Sequence, residues 1–193
     1  MTPIGPSELI LIRHAPAETG GRVAGRRDVP ARLEDPDAIA RLGAALAVVP
    51  NVVTSPALRC RQTAEAVFPG RSMDQDDRLW EQDFGTQEGM LFSQIPDLGP
   101  MTRVDLAEHA PQGGESFAAM VARVSPALLD LADRARHDGP VAVVAHAGTV
   151  RSALAMALGQ IPEALAFEVD PLSVTRLRCL PDAFSIISVN GMA

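Results

Sequence analysis

Arg13 and His14 stand together at the end of the apolar run Leu9-Ile10-Leu11-Ile12, and a second histidine, His146, ends the run Val141-Ala142-Val143-Val144-Ala145. A short run of aliphatic and β-branched residues reads as a strand buried on both faces. Open α/β sheets place their chemistry just beyond the carboxyl ends of such strands. Two histidines beside a guanidinium therefore make a candidate site for a dianionic phosphoryl group. A neutral imidazole can attack phosphorus, and the cation at Arg13 disfavours the imidazolium form of His14. Arg59, one turn into a helix that follows another strand, can reach back over the same edge, and His146 completes the ring. The backbone N–H groups of Ala147 to Thr149, near a helix start, add a field that favours an anion. Phosphoryl transfer depends on positioning and on stabilising the equatorial oxygens, which several fixed cationic donors provide. The expected roles are His14 as nucleophile and Arg13, Arg59 and His146 as phosphate ligands.

A leaving alkoxide must be protonated. Glu81, in Leu79-Trp80-Glu81-Gln82-Asp83-Phe84-Gly85, is the expected acid, because Trp80 and Phe84 can desolvate it and raise its pKa. It would then activate water against a phosphohistidine. Asp83 and Glu88 are alternatives. Each residue also has a duller reading. A single strand-end histidine is more often structural, a single arginine more often a surface charge, and Trp80 by itself a core anchor. His109 and His137, in polar stretches, are read as exposed and without a role. The order and spacing of the whole set favour a site.

Composition narrows the chemistry further. All 17 basic residues are arginine; without lysine, a Walker A loop, a Schiff base and a catalytic lysine are excluded. Phosphate must be gripped by guanidinium forks, histidines and backbone N–H groups. The formal charge of -7 disfavours nucleic acid and anionic membrane as partners. No apolar segment approaches the roughly 20 residues of a membrane span. The first residues lack the basic and apolar regions of a secretory leader, so a cytoplasmic location is expected. Cys60 and Cys179, two and far apart, read as reduced thiols, with no zinc site or disulfide framework.

The elements that must position these residues follow from local signals. At 193 residues one core is expected. Residues 19–31, rich in Gly, Arg and Pro, read as a long loop over the strand end. Asp35 and Pro36 open a helix whose Ile39, Leu42, Leu46 and Val49 share one face, and Pro50 ends it. Asn51-Val52-Val53-Thr54 is a short strand, and Ser55-Pro56 supplies an N-cap and first-turn proline for a helix carrying Arg59, Thr63 and Val67. Residues 73–114 have weak periodicity and read as an inserted cap or lid. A helix should run from Ser116 to about His137, kinked or split at Pro126. The strand 141–145 and the helix 151–158, closed by Gly159, form another βα unit. Residues 174–180 and 184–189 read as two strands near enough to pair as a hairpin.

Taken together, these segments resemble the histidine phosphatase superfamily, the phosphoglycerate mutase-like phosphohydrolases, along nearly the entire chain. Ile12-Arg13-His14-Ala15 resembles the opening Arg-His-Gly signature, and Ser55-Pro56-Ala57-Leu58-Arg59-Cys60-Arg61-Gln62-Thr63-Ala64 the second motif. Leu79 to Gly89 is similar to the segment that carries the acid. Gly113-Gly114-Glu115-Ser116 and His146-Ala147-Gly148-Thr149-Val150-Arg151 match two later landmarks. The resemblance implies an α/β fold: a mostly parallel central sheet with helices on both faces and a small inserted cap. Residues 1–193 would form a single domain with 73–114 as the cap. It implies metal-independent phosphoryl transfer with no cofactor, with His14 as nucleophile, Glu81 as acid, and Arg13, Arg59 and His146 as phosphate ligands. Ala15 and Ala147 replace family glycines, the first adding a methyl group near the phosphate pocket. Ala17 and Gly20 or Gly21 stand where a polar threonine and asparagine are frequent.

The shortness of the chain favours hydrolysis over isomerisation. The segment Gly21-Arg22-Val23-Ala24-Gly25-Arg26-Arg27-Asp28-Val29-Pro30 resembles the α-ribazole phosphatase branch, with α-ribazole 5'-phosphate as the implied substrate. Arg22, Arg26 and Arg27 could meet a second polar or anionic part of a substrate, although a solvated loop is the default. A mutase and a phosphate-binding module that has lost turnover are the alternatives. A small phosphate ester is the expected partner, and a homodimer is left open.

Overall fold

Leu9, Ile10, Leu11 and Ile12 alternate between two cores, and that alternation organises the molecule. In this computed structural model, which describes residues 2–192, β1 (Glu8–Arg13) pairs in parallel with β4 (Val141–Ala145) and β4 with β2 (Asn51–Thr54). The two-residue strand β3 (Asp74–Gln75) pairs in parallel with β2 at the edge. Antiparallel β5 (Val174–Cys179) and β6 (Phe184–Gly191) complete a six-stranded sheet of order β3-β2-β4-β1-β5-β6, and the last two form the expected hairpin. Side chains along a strand point alternately to opposite faces. Leu9, Leu11, Val141 and Val143 share a core with residues of α4 (Phe117–Asp138) and α5 (Ala147–Leu158). Ile10, Ile12, Ala142 and Val144 share the other with residues of α1 (Pro36–Ala45) and α2 (Leu58–Val67). The mostly parallel sheet with helices on both faces is the architecture expected from the sequence. Burial of each large aliphatic side chain contributes about 1.5–3 kcal/mol, so the strand ends that carry Arg13 and His146 rest on a rigid frame.

Local chemistry sets most of the helix ends. Asp35 accepts from the Ala38 N–H and Pro36 opens α1; Ile39, Leu42, Leu46 and Val49 are all buried, but the helix stops at Ala45 with Leu46 as its C-cap, short of the expected end at Pro50. Ser116 caps α4 by accepting from Ala119. Three further expectations need correction. α4 is not split at Pro126: a single helix runs through it. Pro126 and Ala122, whose carbonyl loses its N–H donor, lie on the exposed side, where water can take that carbonyl. Ser55 does not cap α2, which starts at Leu58 with Ala57 as an N-cap that has no side-chain hydrogen bond; the Ser55 hydroxyl is turned toward His146. α5 starts at Ala147, four residues earlier than expected, which makes His146 its N-cap residue.

After β3 the chain leaves the sheet through 3-10 turns at Asp77–Leu79, Gly85–Gln87 and Phe92–Gln94 and a short helix α3 (Arg103–Glu108), then returns at α4. Glu81, Phe84, Gln87, Phe92 and Ile95 of this excursion share a cavity with Arg13 and His14. No helix among the described residues is long and apolar enough to cross a membrane.

Candidate active site

Because Arg13 is in register with Ala145, the residues that follow β1 and β4 emerge side by side. They are His14 and His146, whose ring centroids lie 5.2 Å apart at an interplanar angle of 71°. His14 is 6% exposed and His146 is fully buried. His14 Nδ1 lies 2.6 Å from the Ala15 carbonyl. A carbonyl oxygen can only accept, so the proton is on Nδ1 and the Nε2 lone pair is free. Arg59 Nε donates to that lone pair at 3.3 Å.

Burial sets the charge state of both rings. It lowers the His14 pKa to about 3; the hydrogen bond to Ala15 opposes the shift, and the nearby Arg59 and Arg13 cations reinforce it. Burial likewise holds His146 well below the ordinary range, aided by His14, Arg59 and Arg13. Both imidazoles are therefore neutral near neutral pH.

Arg59, 1% exposed, reaches the strand end from the first turn of α2. Its Nη1 and Nη2 donate to the carbonyls of Arg27 (3.2 Å) and Gly25 (2.8 Å). Arg13 gives Nη1 to the Val169 carbonyl, while its Nε is buried without a partner. Burial lowers the Arg13 pKa and Glu81 opposes that shift, which marks the two as electrostatic neighbours. The Glu81 carboxylate sits at the start of α5, where Oε2 accepts from Gly148 N–H at 3.4 Å and Oε1 from Gln82 N–H at 3.0 Å. A β-carbon on Gly148 would overlap that carboxylate and Met120, so a larger residue there would push the Glu81 carboxylate out of this position.

Arg13, His14, Arg59 and Glu81 thus line one cavity of about 540 Å³. His146 lies one ring deeper, edge-on to His14. A larger groove of about 670 Å³ between α1 and α2 is mainly apolar and gathers no acid–base or nucleophilic group. Neither His109 nor His137 lines the cavity; His137 is exposed beside Asp133, whereas His109 is half-buried. The expected methyl of Ala15 near the phosphate pocket is instead buried in the core under α1 and α2. Trp80 lies parallel to the His146 ring, with centroids 6.5 Å apart.

The alternative acids are committed elsewhere. Glu88 accepts from the backbone N–H groups of Gly25, Arg26, Arg27 and Phe84, clamping the 22–28 loop onto the excursion. Gly25 packs so closely against Gln82 and Phe84 that a β-carbon would collide with both. Asp83 accepts from Gly85 N–H within its own turn. Of the loop arginines, Arg22 lines the cavity. Arg26 turns away over Trp80 and toward Glu115.

Several supporting residues carry no sequence signal for what they do. Ser55 Oγ meets His146 Nε2 at 2.9 Å, and Cys60 Sγ lies 3.5 Å from the same atom; burial pushes the Cys60 thiol pKa up. Thr63 accepts from Ala15 N–H and donates to the Arg59 carbonyl, tying α2 to the turn after His14. Arg123, paired with Glu115, donates to the carbonyls of Arg78, Trp80 and Glu81. It holds the backbone from which Glu81 projects. Ser55, Cys60 and Thr63 lie in the quoted second motif and Glu115 in the Gly113–Ser116 segment, but neither segment shows what these side chains contact.

The family model of the histidine phosphatase superfamily (branch 1) matches residues 9–191. Glucosyl-3-phosphoglycerate phosphatase of Mycolicibacterium vanbaalenii is 30% identical over 168 residues, 78% of this chain and 74% of that protein. A mycobacterial glucosyl-3-phosphoglycerate phosphatase solved with VO3 superposes with a TM-score of 0.83 at 24% identity, covering 96% of this chain and 99% of its own. The α-ribazole phosphatase of Shigella flexneri superposes at 0.80 with 21% identity, covering 95% and 96%. These two structures are similar to this chain in fold.

Proposed function

The chain belongs to the histidine phosphatase superfamily, branch 1, and from that membership we propose that it is a metal-independent phosphomonoesterase working through a phosphohistidine. The observation that carries this reading is the His14 tautomer: Nδ1–H is spent on Ala15 and the Nε2 lone pair is left at the cavity, met by Arg59. The phosphorus of a substrate takes the place of Arg59 Nε on that lone pair, and the released N–H turns to a phosphoryl oxygen. Nε2 bonds to phosphorus as the bond to the alcohol oxygen breaks, and the Glu81 carboxyl gives its proton to the departing oxygen. Positive charge growing on the imidazole is stabilised at Nδ1–H by the Ala15 carbonyl. Arg13 and Arg59 meet the oxygens of the transferring group; His146, expected as a third phosphate ligand, is turned to Ser55 and Cys60 behind the cavity and backs the His14 ring instead. Glu81, now a carboxylate, takes a proton from the water that attacks the phosphohistidine. Inorganic phosphate leaves and Nε2 is restored.

The substrate is a small phosphorylated metabolite. The loop resemblance favours α-ribazole 5'-phosphate. The 30% identity to a glucosyl-3-phosphoglycerate phosphatase favours an ester of that kind as a second reading. Steady-state release of inorganic phosphate from both compounds, beside p-nitrophenyl phosphate, tests the assignment. A hydrolase releases phosphate stoichiometrically with alcohol and prefers its own ester by at least about tenfold in kcat/KM. Isomers formed without phosphate would make the protein a mutase, and tight binding without turnover would make it a phosphate-binding module.

A further inference from the structure

Next to the catalytic cavity lies an open groove of about 430 Å³, lined by Arg22, Arg27, Glu88, Gly89, Met90 and Gln94. Arg22 lines both, so the two meet at its side chain. The Arg22 guanidinium is anchored by Nη1 donating to the Gly89 carbonyl at 2.8 Å. Arg27 Nη1 is the nearest atom to where a side chain on Gly89 would begin. Two cations thus meet at one glycine. Among the described residues, the ion pairs of this chain use Arg26, Arg78, Arg103, Arg123, Arg134, Arg136 and Arg176, and neither Arg22 nor Arg27 has a carboxylate within 4.0 Å. The one acid in the groove, Glu88, has its oxygens occupied by four backbone N–H groups. Gln94 accepts from Leu91 N–H through Oε1, which leaves its amide N–H groups to donate outward.

The groove thus sets two guanidiniums against one carboxylate whose oxygens are taken up by backbone N–H groups, and this excess of positive charge favours an added anion. Arginine forks suit an oxyanion better than any neutral group. We propose that Arg22, Arg27 and the Gln94 amide form a subsite for a second oxyanion, carried on the alcohol half of the phosphomonoester. The substrate class is then a phosphorylated acid rather than a phosphorylated neutral alcohol. This rests on the phosphomonoesterase reading above and selects among its substrates. A phosphoglycerate ester carries such a carboxylate, whereas α-ribazole 5'-phosphate does not.

The test compares esters that differ only in the distal charge: 3-phosphoglycerate against glycerol 3-phosphate, and 6-phosphogluconate against glucitol 6-phosphate. In wild type, at least one acid should exceed its neutral partner by tenfold or more in kcat/KM. In the Arg22→Gln/Arg27→Gln double variant that ratio should fall toward one, mainly through KM, with the melting temperature unchanged as the check on folding. No preference in either pair, or a preference that survives in the double variant, overturns the subsite. Free glycerate that alters wild-type p-nitrophenyl phosphate turnover without competing with it, and not that of the double variant, would mean that a separate small anion binds there, which also overturns it. Failure of wild type to release phosphate from p-nitrophenyl phosphate would instead sink the phosphomonoesterase reading.

Discussion

His14 owes its readiness to its surroundings. Buried beneath two guanidiniums, with its pKa lowered to about 3, it is an unprotonated base throughout the physiological range, and the Ala15 carbonyl selects the nitrogen that keeps the proton. Arg13 and His14 were legible because an apolar strand can end in chemistry at only one edge of the sheet. Glu81 was named from its place between Trp80 and Phe84; in the structure Phe84 lines the same cavity, whereas the Trp80 ring lies against His146. Ser55, Thr63 and Glu88 were not legible, because their partners are a ring or backbone amides that only tertiary approach brings near. If Glu81 protonates the leaving oxygen, Glu81→Gln should slow alkyl phosphates by roughly 100-fold or more and p-nitrophenyl phosphate far less, since p-nitrophenolate leaves without a proton. Pre-steady-state rates on both esters measure this. Equal losses would assign the acid elsewhere.

The elements around these residues were read with uneven success, for physical reasons. β1, β2 and β4 declared themselves as short apolar runs, and Asp35-Pro36 and Ser116 marked their helix starts by capping chemistry. Pro126 misled because a proline whose vacated carbonyl faces water does not break a helix held by buried neighbours on its other side. Ser55 misled because its hydroxyl meets the buried His146 ring and the helix opens only at Leu58, beyond its reach as a cap. The excursion after β3 has few periodic signals because backbone carbonyls gathered by Arg123, rather than an apolar stripe, fix its inner turn. Arg123→Gln should therefore act like a milder Glu81→Gln. A loss of about tenfold in kcat on alkyl phosphates, with p-nitrophenyl phosphate affected less, is the expected pattern in a plot of rate against leaving-group pKa. A uniform loss across the series would reduce Arg123 to a structural role.

In the whole molecule, two neutral histidines buried at one sheet edge tie the site to global stability. Their folded pKa values lie below the ordinary 6.5, so the sign is fixed. Above pH 6.5 neither state protonates them and their full contribution is present. As pH falls from 6.5 toward 3, the unfolded chain binds protons that the folded rings refuse. The unfolding free energy should then drop by about 1.4 kcal/mol per pH unit for each such histidine. Urea unfolding between pH 6 and 4.5 should show a slope shallower by about that amount in His14→Ala than in wild type. Identical slopes would mean that the His14 ring is not held neutral by burial. The same two-sided sheet that excludes water from these rings positions the catalytic cavity and the arginine-lined groove beside it.

The decisive experiment is chemical trapping. Wild-type protein mixed with excess labelled phosphate ester and quenched in alkali within a single turnover should carry up to one acid-labile phosphoryl group per chain, mapping to the peptide that contains His14, and His14→Ala should carry none and turn over no ester. Turnover at the normal rate without that adduct, label on any other residue, or a His14→Ala variant of near-normal activity would contradict a phosphohistidine at His14.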